Sequence, residues 1–329
     1  AVLSKMASNK VNEKLQLAER VHMPVIGLGT WTVFGERGDA QQVKNAVKAA
    51  IDAGCRLIDC AWNYGNEAEI GEALQDKLNE GTVKRDDIFI TTKLWDTHHN
   101  PKLVKRALQD SLRKLKVDYV DLYLFHWPVS FKDGDEIVPR DEHGNVIFSY
   151  HDHLDTWKAM EECVDAGLAK TIGISNFNSK QIERILANAR IKPVNLQIEV
   201  SPYFQNSRII DFSKSHGLTV TAYAPFGNPA RPWKEADQPN ALEDETLQKL
   251  ADKKGKSVAQ VILRWHLQRG LAVVPKSITP SRIKQNMEVF DFELNEEEMN
   301  TIARLDRNMR VYVEPIALSH PDYPFNEPF

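Results

Sequence analysis

Three apolar runs in the first half of the chain end in side chains that can move protons. Leu57-Ile58 leads into Asp59, with Tyr64 five residues further on. Ile88-Phe89-Ile90-Thr91-Thr92 leads into Lys93, and Val120-Asp121-Leu122-Tyr123-Leu124-Phe125 leads into His126. If these runs are neighbouring buried strands, an acid, a phenol, an ammonium and an imidazole meet at one rim. Singly, each has a plain structural explanation: Asp59 can cap a loop, Lys93 can be a solvated strand end, and Tyr64 an ordinary amphipathic surface residue. Together, each supplies what another lacks. A phenol, with a pKa near ~10, is a poor acid at neutral pH, and an ammonium beside it lowers that value by stabilising the phenolate. A carboxylate holds the lysine charged and in place, while a neutral imidazole orients a carbonyl oxygen. The set describes a general acid that protonates an oxygen as negative charge develops there, an effect of roughly 10²- to 10⁴-fold in rate.

Such an acid still needs a nucleophile, and no Ser-His-Asp order supplies one. The histidine clusters His98-His99 and His151-Asp152-His153 lie in polar loops without zinc-site spacing on a helix, so no metal is expected. Hydride from a bound nicotinamide is the better source. Its phosphates need basic and backbone donors, and Val274-Pro275-Lys276-Ser277 with Arg282 offers them. Lys276 ends the last apolar run, while Ser277 and Arg282 lie where the next helix begins, an end that favours anions.

The elements that must position these groups alternate regularly. Two short runs, 15–17 and 25–30, flank a polar turn at 18–20. Asp39 caps a helix in which Val43, Ala46, Val47, Ala50 and Ile51 form one face and which Gly54 ends. Strands are expected at 55–61, 87–94, 119–127, 170–176, 194–200, 219–226 and 272–277. Helices are expected at 66–80, 101–116, 152–167, 179–190, 206–216, 243–254, 257–269 and 280–289, with one more at 294–306. Near-continuous apolar strands suit a parallel sheet covered on both faces. An open doubly wound sheet would need a glycine fingerprint, but Gly27-Leu28-Gly29-Thr30-Trp31-Thr32 lacks the third glycine and no acidic strand residue follows about 20 positions later. The expected fold is an α/β (β/α)8 TIM barrel with an N-terminal β-hairpin, two extra helices and a C-terminal tail over the mouth. Barrel sites lie at the carboxyl ends of the strands, where Asp59, Lys93 and His126 fall.

Composition agrees with one large barrel: 329 residues, 42% of them hydrophobic. A net charge of −4 without charge blocks argues against nucleic-acid or membrane-surface partners. No apolar run is long enough to span a bilayer. Cys55, Cys60 and Cys163 form neither a C-x-x-C pair nor a disulfide framework, as expected of buried thiols in a cytoplasmic protein. Residues 1–14 read as a flexible polar extension without a signal-peptide core, ahead of a single domain over 15–329. The chain starts without methionine, so its first five residues can be vector-derived with Met6 as the native start.

Taken together, these residues resemble the aldo-keto reductase family, in particular its aldose and aldehyde reductase branch. The resemblance runs from about Leu15 to Phe329. It includes Gly27-Leu28-Gly29-Thr30-Trp31, Asp59 with Tyr64, Thr92-Lys93-Leu94-Trp95, His126-Trp127-Pro128 and Gly173-Ile174-Ser175-Asn176-Phe177. Gln197, Tyr223-Ala224-Pro225 and Val274-Pro275-Lys276-Ser277 complete it. It implies a cytoplasmic, monomeric carbonyl reductase of the NADP-dependent alcohol dehydrogenase type, using NADPH/NADP+ on a small-molecule aldehyde or ketone. Tyr64 is then the proton donor, Lys93 and Asp59 its tuning pair, and His126 the orienting group. Ser175, Asn176 and Gln197 hold the carboxamide, and Tyr223 stacks on the nicotinamide. Lys276, Ser277 and Arg282 bind the 2′-phosphate, with Gln285 and Asn286 near the adenine. Phe226, Gly227 and Asn228 pass over the pyrophosphate, and Gly29, Thr30, Trp31 and Asp59 complete the cofactor contacts. Relatives recruited as channel-associated or lens structural proteins keep a second reading open, a catalytically idle barrel with a binding or structural role.

Departures from the family pattern bear on substrate and rate. The aspartate–lysine clasp over the cofactor is replaced by Ala230 and Thr32, which predicts a looser loop and faster cofactor release. Ala224 stands where a serine is usual. Trp31, Trp95, Trp127 and Trp233 match the usual aromatic wall of the substrate pocket, completed by Tyr64 and His126. Asn63 and Val138 replace apolar or aromatic residues, and Tyr312 and Glu314 lie in the tail. Loops and tail carry specificity on this fold.

Overall fold

The computed structural model describes residues 13–31, 40–235, 237–327 and 329. The chain opens with an antiparallel hairpin, β1 (Lys14–Ala18) and β2 (Val21–Pro24). The expected extension over 1–14 lies outside the described residues except for Glu13 and Lys14, and Lys14 already belongs to β1. Asp39, the expected helix cap, also lies outside them.

Eight parallel strands follow: β3 (Leu28–Gly29), β4 (Leu57–Asp59), β5 (Phe89–Leu94), β6 (Val120–Phe125), β7 (Ala169–Ser175), β8 (Asn195–Glu199), β9 (Thr219–Tyr223) and β10 (Ala272–Val273). Each pairs with its neighbours in chain order. The seam between last and first closes through parallel bridges from Ile26 to Val273 and from Gly29 to Lys276. Gly27 N donates to Val273 O and Gly29 N to Pro275 O, both at 3.0 Å. A Cβ on Gly29 would stand 2.7 Å from Val274 O, so this closure requires glycine there.

The helices form the outer ring: α1 (Ala40–Asp52), α2 (Glu67–Asn79), α3 (Pro101–Leu115), α4 (His153–Asp165), α5 (Ser179–Asn188), α6 (Ser207–Ser215), α7 (Glu245–Lys254), α8 (Val258–Gln268), α9 (Pro280–Met287) and α10 (Glu296–Ala303). The molecule is thus a (β/α)8 barrel, with α7 and α10 outside the alternation. Local signals set the helix ends. Asn100 accepts from Lys102 N ahead of Pro101, and Ser257 with Gln260 forms a capping box. The last helix is shorter than its expected span of 294–306 because Asn295 caps it and Leu294 turns into the core.

Burial divides into layers. β5 and β6 are buried along their whole length, as a sheet covered on both sides demands. Inside the barrel, strand-start residues Leu57, Phe89, Leu122 and Ala272 pack with Met23 and the hairpin's Leu15 and Leu17, which closes the amino end. At the carboxyl end a separate cluster gathers Trp95, Trp127, Val129, Phe131, Ala317 and Tyr323, so the tail packs on the mouth. Among the described residues, no helix is long and apolar enough to cross a membrane.

Candidate active site

Strand β4 is shorter than expected because the chain leaves the ladder soon after Asp59. One further bond, Cys60 N to Thr91 O at 2.8 Å, precedes a 3-10 turn over Trp62–Tyr64. Gly65, at φ 69°, closes that turn. The turn swings Tyr64 back over the end of β5, where Lys93 lies fully buried at 1% exposure. Lys93 Nζ donates to Asp59 Oδ2 at 2.7 Å, to Cys60 O at 2.8 Å and to Tyr64 OH at 3.2 Å. All three ammonium protons are therefore used. Asp59 Oδ1 accepts from Gln197 Nε2 at 2.8 Å, which leaves neither carboxylate oxygen unpaired. Buried charges persist only when paired and hydrogen-bonded in this way.

Beside this junction stands His126, its ring edge-on to Tyr64 at 5.9 Å and to Trp95 at 5.3 Å between centroids. Burial holds its imidazole well below the ordinary value, and the Lys93 charge adds to the effect. His126 is therefore neutral above that lowered value, throughout the usual imidazole range. Its titration is expected to leave no inflection in kcat between about pH 6 and 8. A limb in that range that disappears in His126→Gln would contradict a neutral imidazole.

The phenol corrects the sequence reading. Lys93 was expected to draw the Tyr64 pKa down; burial instead holds it well above its ordinary value, with Asp59 and Cys60 adding to the effect. Desolvation of the phenolate outweighs an ammonium whose charge Asp59 already balances. Tyr64 therefore keeps its proton until a stronger base appears.

The junction forms part of the floor of a cleft of about 870 Å³, within the usual size of ligand pockets. Of the residues singled out for a cofactor, Gly29, Thr30, Trp31, Asp59, Ser175, Asn176, Gln197, Tyr223, Phe226, Asn228, Lys276, Ser277, Arg282, Gln285 and Asn286 line it. Gly227 does not; it forms a turn at φ 68° in which its N–H reaches Ala224 O. Of those singled out for substrate, Trp31, Asn63, Tyr64, Trp95, His126, Trp127, Tyr312 and Glu314 line it. Val138 and Trp233 fall outside the lining. The neighbour of Val138, Ile137, fixes Trp95 by accepting its indole N–H at 2.7 Å. Trp233 is 47% exposed and edge-on to Trp31 and Tyr312, as a rim residue rather than a wall.

Asn176 organises one side of the floor from a left-handed backbone at φ 64°. Its Nδ2 donates to His126 O at 3.0 Å, and its Oδ1 accepts from Tyr223 OH at 2.8 Å. Ser175 Oγ donates to Gln197 O at 2.9 Å. Asn63 Oδ1 is buried with no hydrogen-bond partner among the described residues. At the far end Lys276 and Arg282 are exposed where α9 begins.

The loop over the cleft is tied in a way the sequence did not suggest. Ala230 lines the cleft and Thr32 lies outside the described residues. Asn228 Nδ2 instead donates to Tyr312 OH in the tail at 2.7 Å, and Arg231 Nη1 binds Gly227 O and Asn228 O. The tail is held in turn by Glu199, fully buried at the end of β8, which accepts from Val311 N at 2.8 Å and Tyr312 N at 2.9 Å. Burial raises that carboxyl to about 7. Sequence reasoning missed Glu199, although it carries the same signal as Asp59, an acid ending an apolar strand. Glu67, buried behind the floor, accepts from Thr92 Oγ1 and Ser111 Oγ at 2.6 and 2.8 Å. Of the histidines weighed as metal ligands, His98 stands edge-on to Trp62 and His99 to Phe125, His151 bonds Asp133 and His153 bonds Pro128 O.

Comparison with known proteins agrees with this architecture. The family model described as "Aldo/keto reductase family" matches residues 25–307. Aldo-keto reductase family 1 member A1 of Gallus gallus is 48% identical over 317 residues, 93% of this chain and 95% of that protein. The prostaglandin-E(2) 9-reductase of Oryctolagus cuniculus is 45% identical over 320 residues, 96% of this chain and 98% of that protein. The solved structure of the aldose reductase from Schistosoma japonicum superposes with a TM-score of 0.86 at 46% identity, covering 94% of this chain and 97% of that one.

Proposed function

The chain belongs to the aldo/keto reductase family, whose members here are oxidoreductases acting on carbonyl compounds; from that premise we propose that it reduces an aldehyde or ketone to the alcohol with NADPH, using Tyr64 as the acid. The observation that carries the reading is the junction at Lys93, which sets one phenol 3.2 Å from a buried, fully paired ammonium at the floor of a large cleft.

The residues present fit a phosphorylated dinucleotide. The cleft joins the floor amides to two exposed cations, Lys276 and Arg282, neither of which has an ion-pair partner among the described residues. Lys276, Ser277 and Arg282 would hold a 2′-phosphate, Gln285 and Asn286 the adenine, and Phe226, Gly227 and Asn228 the pyrophosphate. Ser175, Asn176 and Gln197 would hold the carboxamide against Tyr223. When bound, NADPH supplies a hydride to the carbonyl carbon.

The chain's own groups handle the oxygen. Tyr64 transfers its proton to the carbonyl oxygen as negative charge builds there. As the carbonyl oxygen gains alkoxide character it becomes the stronger base that draws the phenol's proton. The phenolate left behind faces Lys93, whose charge Asp59 and Gln197 hold in place. Neutral His126 offers an N–H to the same oxygen, and Asn176 fixes the backbone beneath it. Trp31, Trp95 and Trp127 line the cleft beside this acid and give it an apolar wall.

NADPH mixed with an aromatic aldehyde and the protein is expected to lose its absorbance with time. No turnover over a broad panel of aldehydes and ketones would end the reductase reading and leave a binding or structural role. Lys276→Met is expected to raise the Kd for NADPH about tenfold or more while leaving that for NADH nearly unchanged. Equal losses for both cofactors, measured by fluorescence titration, would remove Lys276 from the 2′-phosphate.

A further inference from the structure

The charges that line the cleft sort by partner. Asp59 is committed to Lys93 and Gln197. Lys276 and Arg282 lie at the end away from the catalytic floor. That leaves Glu314, which lines the cleft from the tail, half-buried, its side chain with no hydrogen-bond or ion-pair partner among the described residues. Burial lifts its carboxyl to about 7. Two titratable neighbours share its field: Asp96, held well above the carboxylate range by burial, and Tyr323, also raised by burial. Neither supplies positive charge. The nearest cation along the tail, Arg310, stacks on Phe325 at 3.5 Å and Phe204 at 4.4 Å.

Glu314 also occupies an unusual backbone position, φ 45° and ψ 66°, which disfavours any residue with a Cβ. Ala317 N fixes it there by donating to Glu314 O at 3.0 Å. Trp31, Trp95, Trp127 and Tyr312 line the same cleft, Trp31 and Tyr312 edge-on at 5.8 Å between centroids. Aromatic faces and an unpaired carboxylate act in the same direction on an organic cation, the one through the ring quadrupole and the other through charge. An anion would meet that carboxylate across a medium of reduced dielectric.

We infer that this cleft selects carbonyl compounds by charge, taking those that carry an amine or quaternary ammonium group away from the carbonyl and rejecting carboxylates, with Glu314 as the discriminating residue. The inference rests on the carbonyl-reduction reading. It is tested with three benzaldehydes of similar size, substituted para with trimethylammoniomethyl, its neutral neopentyl isostere, or carboxymethyl. They are compared at about pH 8, where Glu314 is ionised.

The cation is expected to exceed the carboxylate about tenfold or more in kcat/KM, mostly through KM. Glu314→Gln is expected to bring that ratio near unity, with the neutral isostere as the reference that separates a charge effect from any change common to all three. Equal kcat/KM values in the unmodified protein would overturn the inference, and so would a preference that survives Glu314→Gln. If none of the three is reduced, the reductase reading fails by itself. Their Kd values, read from quenching of tryptophan fluorescence, then decide the charge preference separately.

Discussion

Tyr64→Phe is expected to lower kcat by roughly 10²- to 10⁴-fold while leaving the affinity for NADPH within about twofold. The substitution removes one oxygen and little else. The ring keeps its edge-on contact with His126, and Lys93 Nζ still sits 4.9 Å from the ring centroid. Lys93 loses the longest of its three hydrogen bonds but retains Asp59 Oδ2 and Cys60 O at 2.7 and 2.8 Å. Neither the fold nor the phosphate end of the cleft depends on the hydroxyl, so binding and chemistry should separate cleanly. Steady-state kcat, set beside a fluorescence titration of the cofactor, reads both. A variant keeping more than about a tenth of the parent rate would place the acid elsewhere, with His126 the next candidate.

The second large effect concerns stability as well as rate. Lys93→Met leaves Asp59 buried at 4% exposure with one side-chain donor, Gln197. Breaking a buried pair from one side strands a charge, and a loss of about 3–5 kcal/mol in urea unfolding is expected. Catalysis should fall by about 10²-fold or more, since nothing then faces the phenolate. The double variant Lys93→Met/Asp59→Asn removes both charges and is expected to regain much of the stability but none of the rate. Recovery of both together would mean that the lysine serves only the fold. No recovery of stability would mean that Asp59 is not the group left stranded.

Much of the site was legible because a parallel sheet brings the carboxyl ends of its strands together. Asp59, Lys93 and His126 are each the last or next residue of a short apolar run, and such runs can be recognised without knowing their partners. Tyr64 was harder to place. Its position depends on a single 3-10 turn closed by left-handed Gly65, and local spacing showed only that it follows the strand. The seam of the barrel was blurred for a related reason: β3 and β10 are two residues each, and glycines and Pro275 carry the remaining closure. Apolar periodicity does not register such residues.

What the sequence could not reveal comes from distance along the chain and from burial. Gln197 and Asp59 are 138 residues apart, and Asn228 and Tyr312 are 84 apart. No local pattern links either pair. The absent clasp at Ala230 and Thr32 suggested a looser loop, and the tail supplies a tether that only the folded chain brings near. The direction of the Tyr64 shift failed for the second reason. Residue identities give the charged neighbours of a phenol but not the loss of water around it, and here that loss is the larger effect.

Glu199 grips the tail through the main-chain amides of Val311 and Tyr312, not through their side chains. Every residue but proline offers that amide. The hold is therefore indifferent to which side chains follow it, and Val313 and Glu314 can be exchanged without breaking the two bonds to Glu199, whereas Tyr312 also carries the tether to Asn228. A lineage carrying this arrangement can alter what its cleft admits in single substitutions, each screened by substrate alone and not by the cost of refolding the mouth. The fixed carboxylate on the eighth strand makes the tail an interchangeable part.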